Sequence, residues 1–109
     1  MTALDFTDVD SLEKAQVLFR AGKLEELYLL PREFGGEAIP QNIVYVPRGI
    51  AEIKRGIDAT IGKMVQEGAV TKYVAQPEYK DNSFVPGKIV IETSHPDKPG
   101  AFHPTINIW

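Results

Sequence analysis

The stretch IAEIKRGIDATIGKMVQEG, residues 50–68, decides the fold of this chain. Its apolar side chains recur at intervals of three and four residues, which places them on one face of a helix and which no strand can reproduce. Gly68 offers a stop for that helix. Gly56 and Gly62 lie inside it at a cost of about 1 kcal/mol each relative to alanine, either as tolerated surface positions or as points of close packing. The stretch therefore predicts a long amphipathic helix.

The residues before this helix predict a short helix and two strands. Asp10 and Glu13 have the spacing of a capping box, and Gly22 fits the end of a short amphipathic helix. Residues 24–30 alternate weakly and stop at a proline, and residues 42–46 form a β-branched and aromatic run. We expect both segments to be strands.

After the long helix the apolar period changes to two. Residues 69–76 and 84–93 predict a long antiparallel hairpin, and residues 102–109 predict a last strand. Pro77 and Pro86 each remove a ladder donor, so we expect them at an edge, a bulge or a strand end. The element order predicts a single α+β domain over residues 1–109, with the long helix packed on a mostly antiparallel sheet and a short N-terminal helix.

Composition narrows the possible functions. The 109 residues contain no cysteine, which excludes disulfides, thiolate zinc sites and a cysteine nucleophile. The net charge of −3 has the wrong sign for a general nucleic-acid binder, so no direct nucleic-acid contact is expected. The sequence shows neither a signal peptide nor an apolar run of membrane-spanning length, which predicts a cytoplasmic protein with no membrane partner.

Few side chains are candidates for catalysis or metal binding. The two histidines, His95 and His103, lie near Asp97 in a proline-rich segment, but their spacing matches no recognised metal site. Solvated loop histidines are the expected case, with no metal and no cofactor. Lys54 and Asp58, four residues apart, are expected to form a surface helix pair. The adjacent carboxylates Glu25 and Glu26 are expected to be solvated, because adjacent strand positions face opposite sides of a sheet.

A resemblance to a known family starts at Tyr28-Leu-Leu-Pro-Arg-Glu-Phe-Gly-Gly36 and continues through Asn42-Ile-Val into the long helix. In this order the segments resemble the nonspecific DNA/RNA endonucleases of the ββα-metal class. Pro77-Glu-Tyr79 and Ser83-Phe-Val-Pro86 extend the likeness, which covers roughly residues 25–91.

The resemblance implies a fold without the family's catalytic residues. Tyr28 stands where the family has its water-activating histidine, and Glu25 stands where the motif has its aspartate. The start of the long helix carries Arg48, Gly49 and Ile50 instead of the metal-binding asparagine. A tyrosine is a poor substitute for an imidazole base near neutral pH, because its ordinary pKa is about 10. The chain thus looks like a non-catalytic relative.

Non-catalytic domains of this kind look like bacterial immunity proteins, which bind and inhibit a toxin or nuclease domain. A partner surface of this type is expected to combine aromatic rings with an acidic rim. The aromatic side chains in loops or at chain ends are the candidates: Phe34, Tyr79, Phe84 and Trp109.

Two alternatives remain open from the sequence. The first is an active metal-dependent nuclease of ββα-metal type that uses His95 or His103, with Asp97, as its catalytic residues. The second is a self-associating structural domain, in which the C-terminal strand pairs across an exposed edge to form a homodimer.

Overall fold

The computed structural model describes residues 5–98 and 102–109 and shows an α+β fold. Two short 3-10 turns, at Arg32–Phe34 and Pro40–Asn42, lie between the first two strands. The helices and strands are α1 (Leu12–Arg20), β1 (Leu24–Tyr28), β2 (Ile43–Pro47), α2 (Ile50–Gln66), β3 (Lys72–Tyr79), β4 (Pro86–Ser94) and β5 (Thr105–Asn107). The predicted long helix, short N-terminal helix and antiparallel strands are confirmed.

The strands divide between two antiparallel sheets. One sheet is the pair β1–β2, in which Leu24 lies opposite Pro47 and Tyr28 opposite Ile43. The other has the order β3–β4–β5. Its inner face carries apolar residues at alternate positions, so the period-two pattern of the sequence is satisfied by one buried and one exposed face.

The core lies between the two sheets and the inner face of α2. Ile61 of α2 is fully buried, as are Ile89 and Ile91 of β4 and Val46 of β2. Further buried positions come from α1, from both sheets and from the connecting segments: Val9, Ala15, Leu24, Leu27, Val44, Tyr45, Val70, Val85, Ile106 and Ile108.

Side chains cap the N-termini of both helices, and the cap of α1 is not the expected one. Ser11, not Asp10, caps α1, and its side chain accepts a hydrogen bond from the backbone N–H of Lys14. The predicted capping box is therefore wrong, since the helix begins one residue later. At α2 the N-cap is Gly49, which has no side-chain acceptor of its own. The carboxylate of Glu25 on β1 accepts from the amides of Gly49 (3.1 Å) and Ala51 (3.0 Å) instead.

The segment between β1 and β2 is closed on itself by Asn42. Its side-chain oxygen accepts from the amide of Leu30 at 2.7 Å, and its amide nitrogen donates to the carbonyls of Leu30 and Glu37. Gly36 passes so close to Leu30 that a Cβ atom there would lie 1.8 Å from the Leu30 carbonyl oxygen. The glycine pair of the sequence motif thus permits a tight backbone approach.

Strand β3 forms a free edge of its sheet. The amides of Ile91 and Thr93 on β4 donate towards the β5 side, to Pro104 and Phe102. Amide direction alternates along a strand, so the amides of the intervening β4 residues point towards β3, while that of Ile89 points towards β5. Pro77 lies opposite Ile89, and its ring nitrogen therefore faces away from β4, on the outer edge of the sheet. A register shift follows at Glu78 and Tyr79. Pro77 on an edge strand and Pro86 at the first position of β4 agree with the expectation of an edge, a bulge or a strand end for these prolines.

Candidate functional site

A groove runs along α2 on the side that faces β1 and the first 3-10 turn. We call it the α2 groove. Its first part has a volume of about 320 Å³ and its second about 480 Å³, and the two share Glu33, Arg55 and Asp58. The first part is lined by Glu26, Leu27, Tyr28, Pro31, Arg32, Glu33, Ala51, Lys54, Arg55 and Asp58.

A buried polar network, the Lys54 network, lies at the floor of this groove. The Lys54 ammonium donates to the Asp58 carboxylate at 2.6 Å and to the Tyr73 hydroxyl at 2.8 Å. The Tyr73 hydroxyl lies 2.7 Å from the second oxygen of Asp58 and 3.3 Å from the carbonyl oxygen of Leu29. Lys54 is 2% exposed and Asp58 6%. The network therefore joins α2, β3 and the end of β1 through desolvated groups.

Burial changes the pKa values of Lys54 and Tyr73. Removal from water disfavours a charged ammonium, and this outweighs the nearby Asp58 carboxylate, so the pKa of Lys54 is lowered. Burial and the Asp58 carboxylate both raise the pKa of the Tyr73 hydroxyl far above its ordinary value. Tyr73 consequently keeps its proton and remains a donor to Asp58.

The Lys54 and Asp58 pair is buried, so the expectation of a surface pair is wrong. The spacing of four residues is the same for exposed and buried pairs, but here β1 and the 3-10 turn cover this face of the helix. A helical projection of the sequence indicates this burial, because positions 54 and 58 lie on the apolar face of the helix, beside Ile50, Ile57 and Ile61. Both oxygens of Asp58 are engaged inside the network, so this carboxylate offers no free base to the groove.

The rim of the groove carries charges of both signs. The Arg32 guanidinium lies over the Tyr28 ring at 5.3 Å and donates to its hydroxyl at 3.3 Å. Arg55 and the carboxylates of Glu26 and Glu33 are exposed beside it. Such an arrangement favours neither a phosphate nor a bare cation.

Residues that carry the nuclease resemblance take part in local structure. Glu25, expected to be solvated, caps α2, since its side chain points from β1 to the start of the helix. Asn42 closes the segment after β1. Tyr28 ends β1 at the mouth of the α2 groove. No local sequence pattern indicates the Glu25 cap, which joins positions 24 residues apart.

Two of the four predicted partner-binding aromatics pack against other rings. Phe34 lies 5.3 Å from the Tyr73 ring, over the Lys54 network. Trp109 makes an edge-to-face contact of 5.7 Å with Phe6, and its ring nitrogen donates to the Val85 carbonyl at 2.9 Å. Both rings are half-buried, which is the arrangement of packing anchors.

The other two aromatics are exposed together where β3 leads into β4. Tyr79 is 51% exposed and Phe84 44%. Both line a shallow depression of about 340 Å³ with Asp81, Asn82 and Ser83. We call this region, residues 79–84, the aromatic end. Because the two exposed rings line the same depression, they mark a candidate interaction site.

The histidine segment is a turn. The amide of Asp97 donates to Nδ1 of His95 at 3.0 Å, which engages one ring nitrogen locally. His103 is exposed on the approach to β5. Within residues 5–98 and 102–109, no group of three or more histidine or carboxylate side chains is placed to hold a metal ion.

Comparisons with known proteins assign no relationship. No family model, curated protein or solved structure matches the chain. In the described part of the chain, neither helix has the length and apolar character needed to cross a membrane. The α2 groove and the aromatic end are therefore the two candidate sites in the described part of the chain.

Proposed function

We propose that this chain is a non-catalytic protein-binding module of the immunity type, which binds a bacterial toxin or nuclease domain in the cytoplasm and inhibits it. The observation that carries the proposal is the pair of exposed rings, Tyr79 and Phe84, at the aromatic end. Aromatic side chains supply much of the binding energy in protein interfaces, because they bury a large area and lose few rotamers.

Hydrogen bonds around Ser83 fix the backbone that carries Phe84. The Ser83 hydroxyl donates to the Phe6 carbonyl at 2.7 Å and accepts from the Val85 amide at 3.0 Å. The Phe84 amide donates to the Val9 carbonyl at 2.7 Å. A surface ordered before binding loses less conformational entropy on association, which favours a specific partner.

The non-catalytic part of the proposal is supported by the α2 groove. The nuclease resemblance places Tyr28 at the histidine position, and Tyr28 opens onto this groove. The carboxylate at its floor, Asp58, is neutralised by Lys54 and bound by Tyr73. The order β1, β2, α2 is that of two antiparallel strands and a helix, in keeping with a ββα relative that has exchanged its catalytic groups for structural ones.

Affinity capture followed by an activity assay tests the proposal. The tagged chain is incubated with extract, and any stoichiometric protein that remains bound is produced alone and assayed for nuclease or toxic activity. We expect the purified chain to suppress that activity at equimolar concentration. The matched variants are Tyr79→Ser with Phe84→Ser, which should lose the complex, and Ile53→Ser on α2, an equally exposed apolar residue that should retain it.

The same material distinguishes the alternatives. Plasmid cleavage by the chain alone with Mg²⁺, abolished in His95→Ala or His103→Ala, would overturn the proposal in favour of a metal-dependent nuclease. A dimer by light scattering with no other protein bound would favour a self-associating domain.

A further inference from the structure

Acidic side chains are concentrated next to the aromatic end. The N-terminal segment packs on it through the backbone of Phe6 and Val9, which brings Asp8 and Asp10 to either side of the Val9 carbonyl that receives the Phe84 amide. Asp81 lies within the aromatic end itself. All three aspartates are exposed.

Asp5 adds a further ionised carboxylate. Its side chain accepts hydrogen bonds from the amide and hydroxyl of Thr7, and these lower its pKa. Hydrogen bonds donated to a carboxylate stabilise its charged form. The positive charge of Lys80 also lowers the pKa of Asp5. Asp5 directly precedes Phe6, whose carbonyl accepts from the Ser83 hydroxyl, so Asp5 lies next to the aromatic end.

The lysines of this region are already engaged. The Lys14 ammonium lies 2.7 Å from Asp10. The Lys80 ammonium lies 4.7 Å from the centroid of the Trp109 ring, a cation–π contact. The carboxylates of Asp5, Asp8 and Asp81 make no ion pair within the described residues. The four aspartates of this region outnumber its two lysines, so the surface beside the two rings carries net negative charge.

We infer that the aromatic end and the adjoining aspartates form one docking surface for a cationic protein partner, with Tyr79 and Phe84 entering an apolar depression and Asp5, Asp8 and Asp81 facing lysine or arginine side chains around it. This inference depends on the proposed function and specifies the partner's chemistry. The carboxylates would repel the phosphates of a nucleic acid or an anionic lipid surface, so a protein is the occupant that matches both the rings and the charge.

A peptide titration followed by NMR tests the surface without the natural partner. The probe is a short peptide of lysine and leucine, and its counterpart of equal length has glutamate in place of lysine. We expect the lysine peptide to shift the backbone amide signals of residues 5–10 and 79–84, and the glutamate peptide to leave them unchanged. Shifts confined to the α2 groove, or equal shifts with both peptides, would overturn the inference.

Variants separate the contribution of the rings from that of the charges. Tyr79→Ser with Phe84→Ser should weaken lysine-peptide binding at least about tenfold, while Ile53→Ser should not change it. Asp8→Asn with Asp81→Asn should weaken binding at low salt and reduce its salt dependence, because rim charges act over a screened range. Unchanged affinity in both double variants would refute the docking surface.

The outcomes for this surface and for the proposed function are distinct. If the captured partner stays bound to the Tyr79→Ser, Phe84→Ser variant, the protein-binding function stands and this surface is the wrong one. If the lysine peptide binds at the aromatic end but the captured proteins have no activity that the chain suppresses, the surface stands and the immunity function fails.

Discussion

The Lys54 ammonium and the Asp58 carboxylate lie 2.6 Å apart on successive turns of α2, and both side chains are almost completely removed from solvent. An ion pair in this position contributes little net stability when intact, because the desolvation of both groups offsets their attraction. Removal of one partner lowers the stability of the fold much more, because the remaining buried charge then has neither water nor a counter-ion around it. The pair therefore makes this region sensitive to single substitutions.

Asp58→Asn is expected to destabilise the fold by about 3–5 kcal/mol, because it leaves the Lys54 ammonium buried without its carboxylate. Urea unfolding followed by circular dichroism measures the change. Asp10→Asn, which breaks the exposed pair with Lys14, is the control and should move the midpoint very little. Replacement of both partners, Lys54→Met with Asp58→Leu, should restore much of the loss; a double variant as unstable as Asp58→Asn would contradict the electrostatic explanation.

The buried hydroxyl of Tyr73 is expected to make the stability of the fold depend on pH in the alkaline range. An unfolded tyrosine loses its proton near its ordinary pKa of 10.0, whereas burial raises the pKa of Tyr73 in the folded chain. Above that pH the folded state binds more protons than the unfolded state, so the free energy of unfolding should fall as pH rises. Tyr73→Phe should flatten this fall.

The comparison is best made above pH 10.5, the ordinary pKa of lysine. The pKa of Lys54 is lowered in the folded chain, so between that pKa and 10.5 the unfolded state binds one proton more than the folded state. In this range Lys54 makes the free energy of unfolding rise with pH, which opposes the effect of Tyr73. Urea midpoints of the wild type and Tyr73→Phe at several pH values provide the measurement. Parallel curves for the two proteins would show that Tyr73 ionises normally.

Two glycine-to-alanine substitutions are expected to have opposite effects. Gly36→Ala places a Cβ atom 1.8 Å from the Leu30 carbonyl, so the backbone must shift and the cost should be about 1–3 kcal/mol. Gly56→Ala meets no atom within 4 Å and should stabilise α2 by about 0.5–1 kcal/mol. Thermal unfolding of both variants measures the difference. A Gly36→Ala variant as stable as the wild type would refute the close backbone approach.

Pro77 is expected to limit pairing at the free edge of β3. Pro77→Val supplies an amide that points outward, so it should increase the dimer fraction measured by light scattering at high concentration. Gln76→Val is the control, because it adds a similar apolar side chain while its amide faces β4. Equal association of the two variants would indicate apolar contact instead of strand pairing.

The sequence predicted the elements of this fold better than it predicted their polar contacts. Apolar periodicity predicted α2 and the strands, because the pattern of a helix or a strand is contained in residues that are close together in the sequence. The cap that Glu25 provides to Gly49 depends on how β1 approaches α2, and no local pattern encodes that approach. The place of Lys54 on the apolar face of α2 follows from its spacing, but the depth of its burial depends on the same approach. Both residues have the identities and spacings of ordinary surface charges.

The four aromatic residues predicted to bind a partner also show that sequence position does not decide exposure. Loop position alone selected them, and it does not distinguish a ring that faces solvent, such as Tyr79, from one that packs on another ring, such as Phe34. Trp109 has a partner, Phe6, from the opposite end of the sequence. Tertiary contacts between distant segments decide which rings remain available to a partner.

The pairing of strands has a consequence for the folding kinetics. Each ladder joins strands that follow one another along the chain, β1 with β2 and β3 with β4 and β5, so both sheets can form from contacts of short sequence separation. The Tyr73 hydroxyl and the Leu29 carbonyl are 44 residues apart, and their contact closes only when α2 has brought the sheets together. The Lys54 and Asp58 pair lies within α2, whereas the contacts of Tyr73 with this pair and with Leu29 require the sheets to dock on the helix. We therefore expect Tyr73→Phe to accelerate unfolding while leaving the folding rate almost unchanged.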